Sequence, residues 1–508
     1  MIDAFHLPGL AGADVASWDV RQYGDGAVHL RFPVLEPAVL GAVLDRLLAA
    51  RAEHLADRPF AEIVAVIDAV ARRFLDPADP VRRLAEEALP AVTGYSPPMV
   101  RLILDRMAAD WRADALERLL REELGDPGVL DGFRPRTGPG DGESGRAGAG
   151  DGGQLPTVGA YAAIGAGPGT GCGHDAAPSA APLRRAMGPE LAFHFFAGNV
   201  PGVAVTSLVR ALLVKAASIG KAGSGDPLLP ALFARTLAEI DPGLGACVAV
   251  TYWPGGSAGL EEVVFDRADT VIVYGGEAVV ESVRARAHPA TRLVEHGPKL
   301  SFAIVAREAL EPSVIEATAA STARAVAVFD QQGCVSPHVV YVEDGGATTP
   351  RDFAAALARA LASIEQELPR GRISAAEAAA IRQLRGAAEF AGLAGRGVEL
   401  FASEGTEYTV VYDPDPAFDP SCLNRVVRVK PIGSLEDAAE LVRPYARYLQ
   451  TVGVAAPADR RRDVAERLAR VGATRITDLE RMPWPQPTWH HDGRGPLNEL
   501  IRWVDLEG

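Results

Sequence analysis

The chain has 508 residues, 48% of them hydrophobic and 23% charged, with a formal net charge of −15. That length predicts two to four folding units whose cores need no disulfide staples. An acidic surface repels phosphate backbones, which excludes nucleic acid as an expected partner.

The four cysteines, Cys172, Cys247, Cys334 and Cys422, are far apart and make neither a CxxC nor a Cys/His spacing, so no disulfide framework and no metal site is expected. The first residues lack a basic and then apolar leader. The longest uncharged apolar stretch, Leu191 to Val209, is broken by Gly198-Asn199-Val200-Pro201-Gly202. The expectation is a cytoplasmic protein without a membrane span.

Residues 1–135 read as an N-terminal α/β region that packs on the domain after it. Leu40, Val43, Leu44 and Leu47 recur at helical spacing, as do Ile63, Ile67, Val70 and Phe74. Residues 136–185 form a Gly/Ala-rich linker. Its run from Thr137 to Gly153 offers too little apolar surface to offset chain entropy, so partial disorder is expected. No strand precedes that run and no GK[ST] ends it, which argues against a phosphate loop. Cys172 and His174 in the second Gly/Ala stretch are too few to hold a metal.

Residues 186–305 alternate strand and helix. The strands are expected at Leu191–Phe196, Ala216–Lys221, Cys247–Tyr252, Thr270–Tyr274, Arg292–Glu295 and Leu300–Val305. Asp226 is expected to cap a helix opening at Pro227. Such alternation predicts a doubly wound parallel sheet. Residues 306–455 repeat the pattern around a second core, with long Ala-rich helices from Phe353 and Ala375 and strands at Val339–Val342, Tyr408–Tyr412 and Val426–Ile432. The C-terminal segment, 456–508, holds one charged helix and then the aromatic, Pro-rich run from Met482 to Trp489.

Cys334 lies in Phe329-Asp-Gln-Gln-Gly-Cys334-Val-Ser-Pro-His338, where a helix gives way through a polar Gly turn to a strand. A cysteine on such a connection is reachable and held by the scaffold; a buried packing cysteine is the alternative. Cys247, within an apolar strand, reads as packing, and Cys422 as a loop residue.

FDQQGCVSPHVVYVE (329–343), AGNVPGVAVTSLVRALLVKAASIGKAGSGDP (197–227), VIVYGGEAVVESVR (271–284) and HGPKLSFAIV (296–305) resemble the fatty acyl-CoA reductases of bacterial luminescence operons, a branch of the aldehyde dehydrogenase superfamily. The blocks match in order over roughly residues 190–445. The tail WHHDGRGPLNELIRWVD is also similar, and the first 135 residues only loosely so. QQGCxSP is the specific signal.

The resemblance implies an α/β, aldehyde dehydrogenase-like fold: a Rossmann-type parallel-sheet cofactor domain (186–305), a second α/β catalytic domain (306–455) and a small oligomerisation element in a homo-oligomer. It implies Cys334 as the nucleophile and Asn199 as an oxyanion donor, the alternative for Asn199 being a loop or cap residue. Lys221 matches the lysine beside the adenosine ribose. Ser224 stands where NAD-preferring members carry a glutamate, so the expected cofactor is NADPH, with no metal. Gly275, Gly276 and Glu277 open a helix whose N–H groups can approach the pyrophosphate or nicotinamide. Glu295 matches the glutamate of the hydrolytic enzymes and reads equally as a general acid/base or as the polar end of a strand. The glutamate that usually positions the nicotinamide ribose is replaced near Ser421.

The activity so implied is NADPH-dependent reduction of a long-chain fatty acyl-CoA or acyl-thioester to the aldehyde through an acyl-Cys334 thioester. Acyl-protein synthetase and acyltransferase partners are implied with it. The rivals are an aldehyde dehydrogenase that releases acid and a non-redox acyltransferase using Cys334. No Lys or Arg lies within four residues of Cys334 to activate it, and His338 sits four residues into a strand.

Overall fold

A computed structural model describes the chain except residues 11, 13–14, 137–181 and 508. The expected Gly-rich run, Cys172 and His174 lie outside the described residues. No helix among the described residues is long and apolar enough to cross a membrane.

The site is framed by two sheets. The first has five strands in the order Arg292–His296, Thr270–Tyr274, Leu191–Phe195, Ala217–Lys221 and Val248–Thr251. All its pairings are parallel. Its three central strands are buried on both faces but for a terminal residue, which is why they read as continuous apolar runs rather than alternating ones. In register, Phe195 stands beside both Lys221 and Val273, and Tyr274 beside His296. The carboxyl ends of these strands therefore open on one crevice, the usual place for ligands in a parallel sheet.

The second sheet has seven strands: Glu399–Ala402, Thr409–Tyr412, Val426–Ile432, Pro337–Glu343, Leu300–Val305, Leu449–Ala455 and Arg475–Thr477. Only its Glu399–Ala402 edge is antiparallel. Two expected boundaries shift here. Leu300–Val305, which closed the first domain in the sequence reading, pairs with Pro337–Glu343 and Leu449–Ala455 in this second sheet. The segment after 456 does not stand apart either, since Arg475–Thr477 extends the same sheet.

The long helices start where the sequence supplies caps. Thr349 with Asp352 and Ser374 with Glu377 form reciprocal capping boxes for Pro350–Glu367 and Ala375–Leu393. The helix expected at Pro227 begins at Leu229, and the Asp226 carboxylate accepts the Leu229 N–H at 3.1 Å.

A three-stranded sheet joins Arg502–Leu506, Leu183–Met187 and Arg134–Pro135. The expected linker thus ends before 185, because Leu183 is already in a strand. The N-terminal region is α/β as expected, with strands Ile2–Asp3, Val28–Val34 and Ser17–Tyr23. His6 bridges to Val250 at the edge of the five-stranded sheet and so ties this region to it. Its helices Pro97–Asp110 and Ala113–Leu124 reach the cavity beside Cys334.

Candidate active site

Cys334 is presented by a turn that the backbone would not choose alone. Phe329, Asp330 and Gln331 all have left-handed φ values, 57°, 47° and 65°. Each such non-glycine residue costs about 1–3 kcal/mol. A second left-handed run, Leu423, Asn424 and Arg425, faces the first. The two clasp each other through side chains. Arg425 bonds Asp330 at 2.7 Å, with both side chains buried, and also reaches Glu365 at 2.8 Å. The Asp330 carboxylate additionally accepts the Gly371 N–H. The Gln331 amide donates to the carbonyls of Pro337 and Val426 and accepts the Val426 N–H. These bonds offset the strain and explain why the turn carries Asp330 and Gln331.

Cys334 lines an apolar cavity of about 130 Å³, close to the ~150 Å³ void known to admit benzene. Trp111, Val203, Phe329, Trp484 and Trp489 supply much of the wall. Past Asp110 and the segment Trp484–Pro487 lies an outer groove edged by Arg106 and Arg118. Burial raises the Asp110 carboxyl to about 7 against the pull of Arg210 and Arg106.

Burial pushes the Cys334 thiol up to about 11, and the Asp492 carboxylate adds to the rise. A Gln450 side-chain hydrogen bond, the Cys334 N–H and the Arg475 guanidinium pull the other way. The cation missing from the local sequence is thus supplied by Arg475, from the last strand of the second sheet. His338 turns elsewhere: its Nδ1 accepts the Ser421 N–H at 3.1 Å.

Asn199 reaches the turn that carries Cys334. Its Nδ2 donates to the Gln332 carbonyl at 2.8 Å, and its own carbonyl accepts the Tyr95 hydroxyl. A carboxamide carries a second N–H, for which no protein partner is found among the described residues; the Cys334 backbone N–H donates to no backbone carbonyl among them and lies beside its own sulfur. The loop bearing Asn199 lies against the one bearing Ser224. A Cβ on Gly198 would stand 2.6 Å from the Gly225 nitrogen, and one on Gly225 would stand 2.4 Å from the Gly198 oxygen. Only glycines fit this backbone contact.

Lys221, Gly223 and Ser224 line the crevice at the carboxyl edge of the five-stranded sheet, with Tyr252, Gly255 and Val279. The Lys221 ammonium is 4.0 Å from buried Glu261, whose other partner is Arg286. Burial lowers its pKa against the pull of Glu261. Gly276 caps the helix Glu277–Arg286, and a Cβ there would meet nothing within 4 Å. Glu277 is exposed at that helix start. Tyr274 lines both this crevice and the Cys334 cavity.

Glu295 is not brought to Cys334. It forms a two-pronged ion pair with Arg284, at 3.0 and 2.8 Å, on the helix side of its strand. Successive strand residues face opposite ways, and His296 packs against Tyr274 and His491, two residues of the cavity wall. The centroids of those two rings lie 4.4 and 4.3 Å from it and 6.2 Å from each other. Trp489 stacks on His491 at 4.7 Å. Asp492 accepts His296 Nδ1 at 3.0 Å and Gln450 Nε2 at 2.8 Å.

Residues 55–146 and 176–503 match the model of the family described as acyl-CoA reductase (LuxC). The chain belongs to that family. It is 29% identical over 326 residues to a long-chain acyl-protein thioester reductase of Aliivibrio fischeri, covering 64% of this chain and 65% of that one. With the Vibrio harveyi protein of the same description it shares 24% over 327 residues, again 64% and 65%. The matches span just under two thirds of these relatives. Among solved structures, aldehyde dehydrogenase 21 of Physcomitrella patens, in complex with the product succinate, superposes with a TM-score of 0.69 at 13% identity, over 98% of this chain and 96% of that one. An NADP-dependent glyceraldehyde-3-phosphate dehydrogenase of Bacillus halodurans, complexed with NADP, gives 0.68 at 15%, over 97% and 96%. The fold is therefore that of the aldehyde dehydrogenases.

Within this family member, the sequence reading missed Tyr274, His296, Gln450, Arg475, Trp484, His491 and Asp492. The available signals were the density of Trp, His and Pro from 482 to 492 and the placing of Tyr274, His296, His491 and Asp492 within family-like blocks, neither of which points to chemistry until the fold lays them near Cys334.

Proposed function

We propose that this protein reduces a long-chain fatty acyl thioester, carried on coenzyme A or on a protein, to the aldehyde with NADPH, through an acyl thioester on Cys334. The observation that carries this reading is the shared wall at Tyr274: the cavity holding Cys334 and the crevice holding Lys221 and Ser224 meet at one side chain. A nucleophile and a dinucleotide site placed back to back suit acyl transfer followed by reduction.

The crevice residues fit a nicotinamide dinucleotide. Gly276 leaves open space at a helix start, where backbone N–H groups favour a pyrophosphate. Among the described residues Lys221 has no ionic partner closer than 4.0 Å, and with Ser224 in place of a carboxylate it suits a ribose 2′-phosphate. When bound, NADPH supplies the hydride.

The chain's own residues do the rest. Cys334 attacks the acyl carbonyl, since a sulfur nucleophile both forms and leaves a thioester readily. The free amide N–H of Asn199 and the Cys334 N–H meet the oxyanion, first on thiol attack and again at the reduction stage. Arg475 favours the thiolate. The Trp-rich wall keeps water from the acyl-enzyme, which would otherwise release acid. The chain's similarity to long-chain acyl-protein thioester reductases supports an acyl-protein donor. The small cavity continues past Asp110 into the outer groove, a path for a longer chain.

The test is a panel of acyl-CoA chain lengths with NADPH and NADH, followed at the nicotinamide absorbance with product analysis. Aldehyde formation that is abolished by Cys334→Ala is expected. Acid from aldehyde with NADP⁺, and no aldehyde from acyl-CoA, would replace this reading with a hydrolytic dehydrogenase.

A further inference from the structure

Three arginines are buried among the described residues: Arg82, Arg210 and Arg425. Two of them are held. Arg82 bonds Glu86 and Asp105, at 2.6 and 2.7 Å, and the Phe74 carbonyl. Arg425 bonds Asp330 and Glu365. Arg210 is only 7% exposed, yet its guanidinium makes no ion pair and no hydrogen bond with the described residues, and its Nε is shut off from solvent without an acceptor. A guanidinium keeps its charge inside a protein, and burying a charge without a partner is strongly unfavourable.

Arg210 lies in the helix Val203–Leu213 and lines the cavity that holds Cys334. Thr206, one turn earlier on the same helix face, lines it as well. The Thr206 oxygen accepts the Trp111 indole N–H at 3.1 Å, and its own O–H remains to donate. Two carboxyls stand in the neighbourhood, and neither satisfies the guanidinium. Burial raises Asp110 to about 7 in spite of Arg210, and burial raises Glu499 in spite of His296 and Arg210. Asp68 shows what contact does instead. Against its burial, direct pairing with Arg112 and Arg72 holds that carboxyl at about 2.

We propose that Arg210, with Thr206 beside it, binds an organic carboxylate in the wall of the Cys334 cavity. A carboxylate meets the guanidinium fork with two parallel N–H···O bonds and keeps lone pairs for the Thr206 hydroxyl. The wall around the fork is apolar, with Trp111, Val203, Phe329 and Trp484 in it, so the rest of the ligand is hydrocarbon. Two molecules have this chemistry. One is a free fatty acid, its chain leaving past Asp110 into the outer groove. The other is an acyl thioester whose chain ends in a carboxylate. The hydrocarbon chain rests on the acyl-thioester reading above, whereas the carboxylate rests on Arg210.

The test is equilibrium binding to the full chain, which needs no reaction at Cys334. Trp111, Trp484 and Trp489 in the wall report occupancy by their fluorescence. Dodecanoate is compared with dodecanol, and the CoA monothioester of hexanedioic acid with hexanoyl-CoA, on the wild type, Arg210→Met and Arg210→Lys. In at least one pair the carboxylate should bind the wild type about tenfold or more tightly, the factor that one hydrogen bond to a charged group supplies. Arg210→Met should bring that pair within about threefold. Arg210→Lys keeps the charge without the fork and should lose at least about threefold, which serves should the Met variant fail to fold. A preference in the first pair alone assigns the site to free fatty acids, and one in the second alone to dicarboxylic chains. Equal binding, or none, in both pairs of the wild type would overturn the site. So would a preference that survives in Arg210→Met, or a variant that loses dodecanol and hexanoyl-CoA as strongly as their carboxylates. Failure to form aldehyde from acyl-CoA and NADPH would overturn the reductase reading and leave these binding differences standing.

Discussion

The side-chain amide of Asn199 donates to the main-chain carbonyl of Gln332 at 2.8 Å, pinning the loop after the strand Leu191–Phe195 to the left-handed turn two residues before Cys334. One residue thus links the two sheets at the point where their sites meet, and its remaining N–H is the expected oxyanion donor. Asn199→Ala removes both. Acyl transfer should fall by about 10²–10³-fold, the usual loss of one such donor, whereas the exposed hydrogen bond accounts for only about 1 kcal/mol of stability. Single-turnover acylation read beside a denaturant melt separates the two effects.

Ser224→Glu places a carboxylate beside Lys221 in the crevice. Like charge against a 2′-phosphate costs several kcal/mol, so NADPH binding should weaken by about 10²-fold or more while NADH binding changes little. Fluorescence titration of both dinucleotides checks this. Equal losses for the two would mean that the ribose does not lie at Ser224.

Glu295→Gln tests the residue that the family resemblance offered as an acid/base. Its ion pair with Arg284 is largely solvent-facing, and such pairs contribute about 0–1 kcal/mol. Turnover should stay within about threefold of wild type, since the change touches only an outer helix. A loss of 10²-fold would return Glu295 to the chemistry.

Asp330→Ala leaves the Arg425 guanidinium buried with only Glu365 as an ionic partner. Breaking a buried pair on one side costs about 3–5 kcal/mol. The left-handed turn also loses its clasp, so iodoacetamide reactivity of Cys334 should change together with the unfolding midpoint. A variant as stable as wild type would show that the turn is held by other means.

Stability should fall as the medium turns acidic. Burial lowers His194 to about 3 and His338 to about 4, so both stay neutral in the native protein while their unfolded counterparts protonate below ~6.5. Between those values the unfolded chain binds more protons, and each group removes up to about 1.4 kcal/mol per pH unit as pH drops. The contribution levels off below about 3, where both states carry the proton. Urea midpoints at about pH 7 and about pH 4.5 measure the loss, and His194→Gln should shrink it.

The strands of the first sheet were legible from apolar runs bounded by Gly, Pro and charged residues, and Thr270–Tyr274 and Val426–Ile432 fall where periodicity puts them. What a strand pairs with is not written in its own residues. Leu300–Val305 reads the same in either sheet, and only the register with Val340 and Val454 decides it. Glu295 and His296 show the same limit one residue at a time, because which of two neighbours packs against the cavity wall depends on the strand's seating. The QQGC turn was visible as a motif, but the partners that hold it, Arg425 and Asn424, are over ninety positions away. Arg475, His491 and Asp492 act across still longer stretches of chain. Nothing local marks them.

The left-handed turn at Phe329–Gln331 has a bearing on how the protein is made. Its shape is imposed by residues 423–426, and Gln450, Arg475 and Asp492 act on the sulfur from later still in the chain. A chain emerging from the ribosome therefore has no Arg425 to clasp Asp330 until 95 further residues have followed. The turn can take its shape only once the strand Val426–Ile432 is in place to hold Gln331.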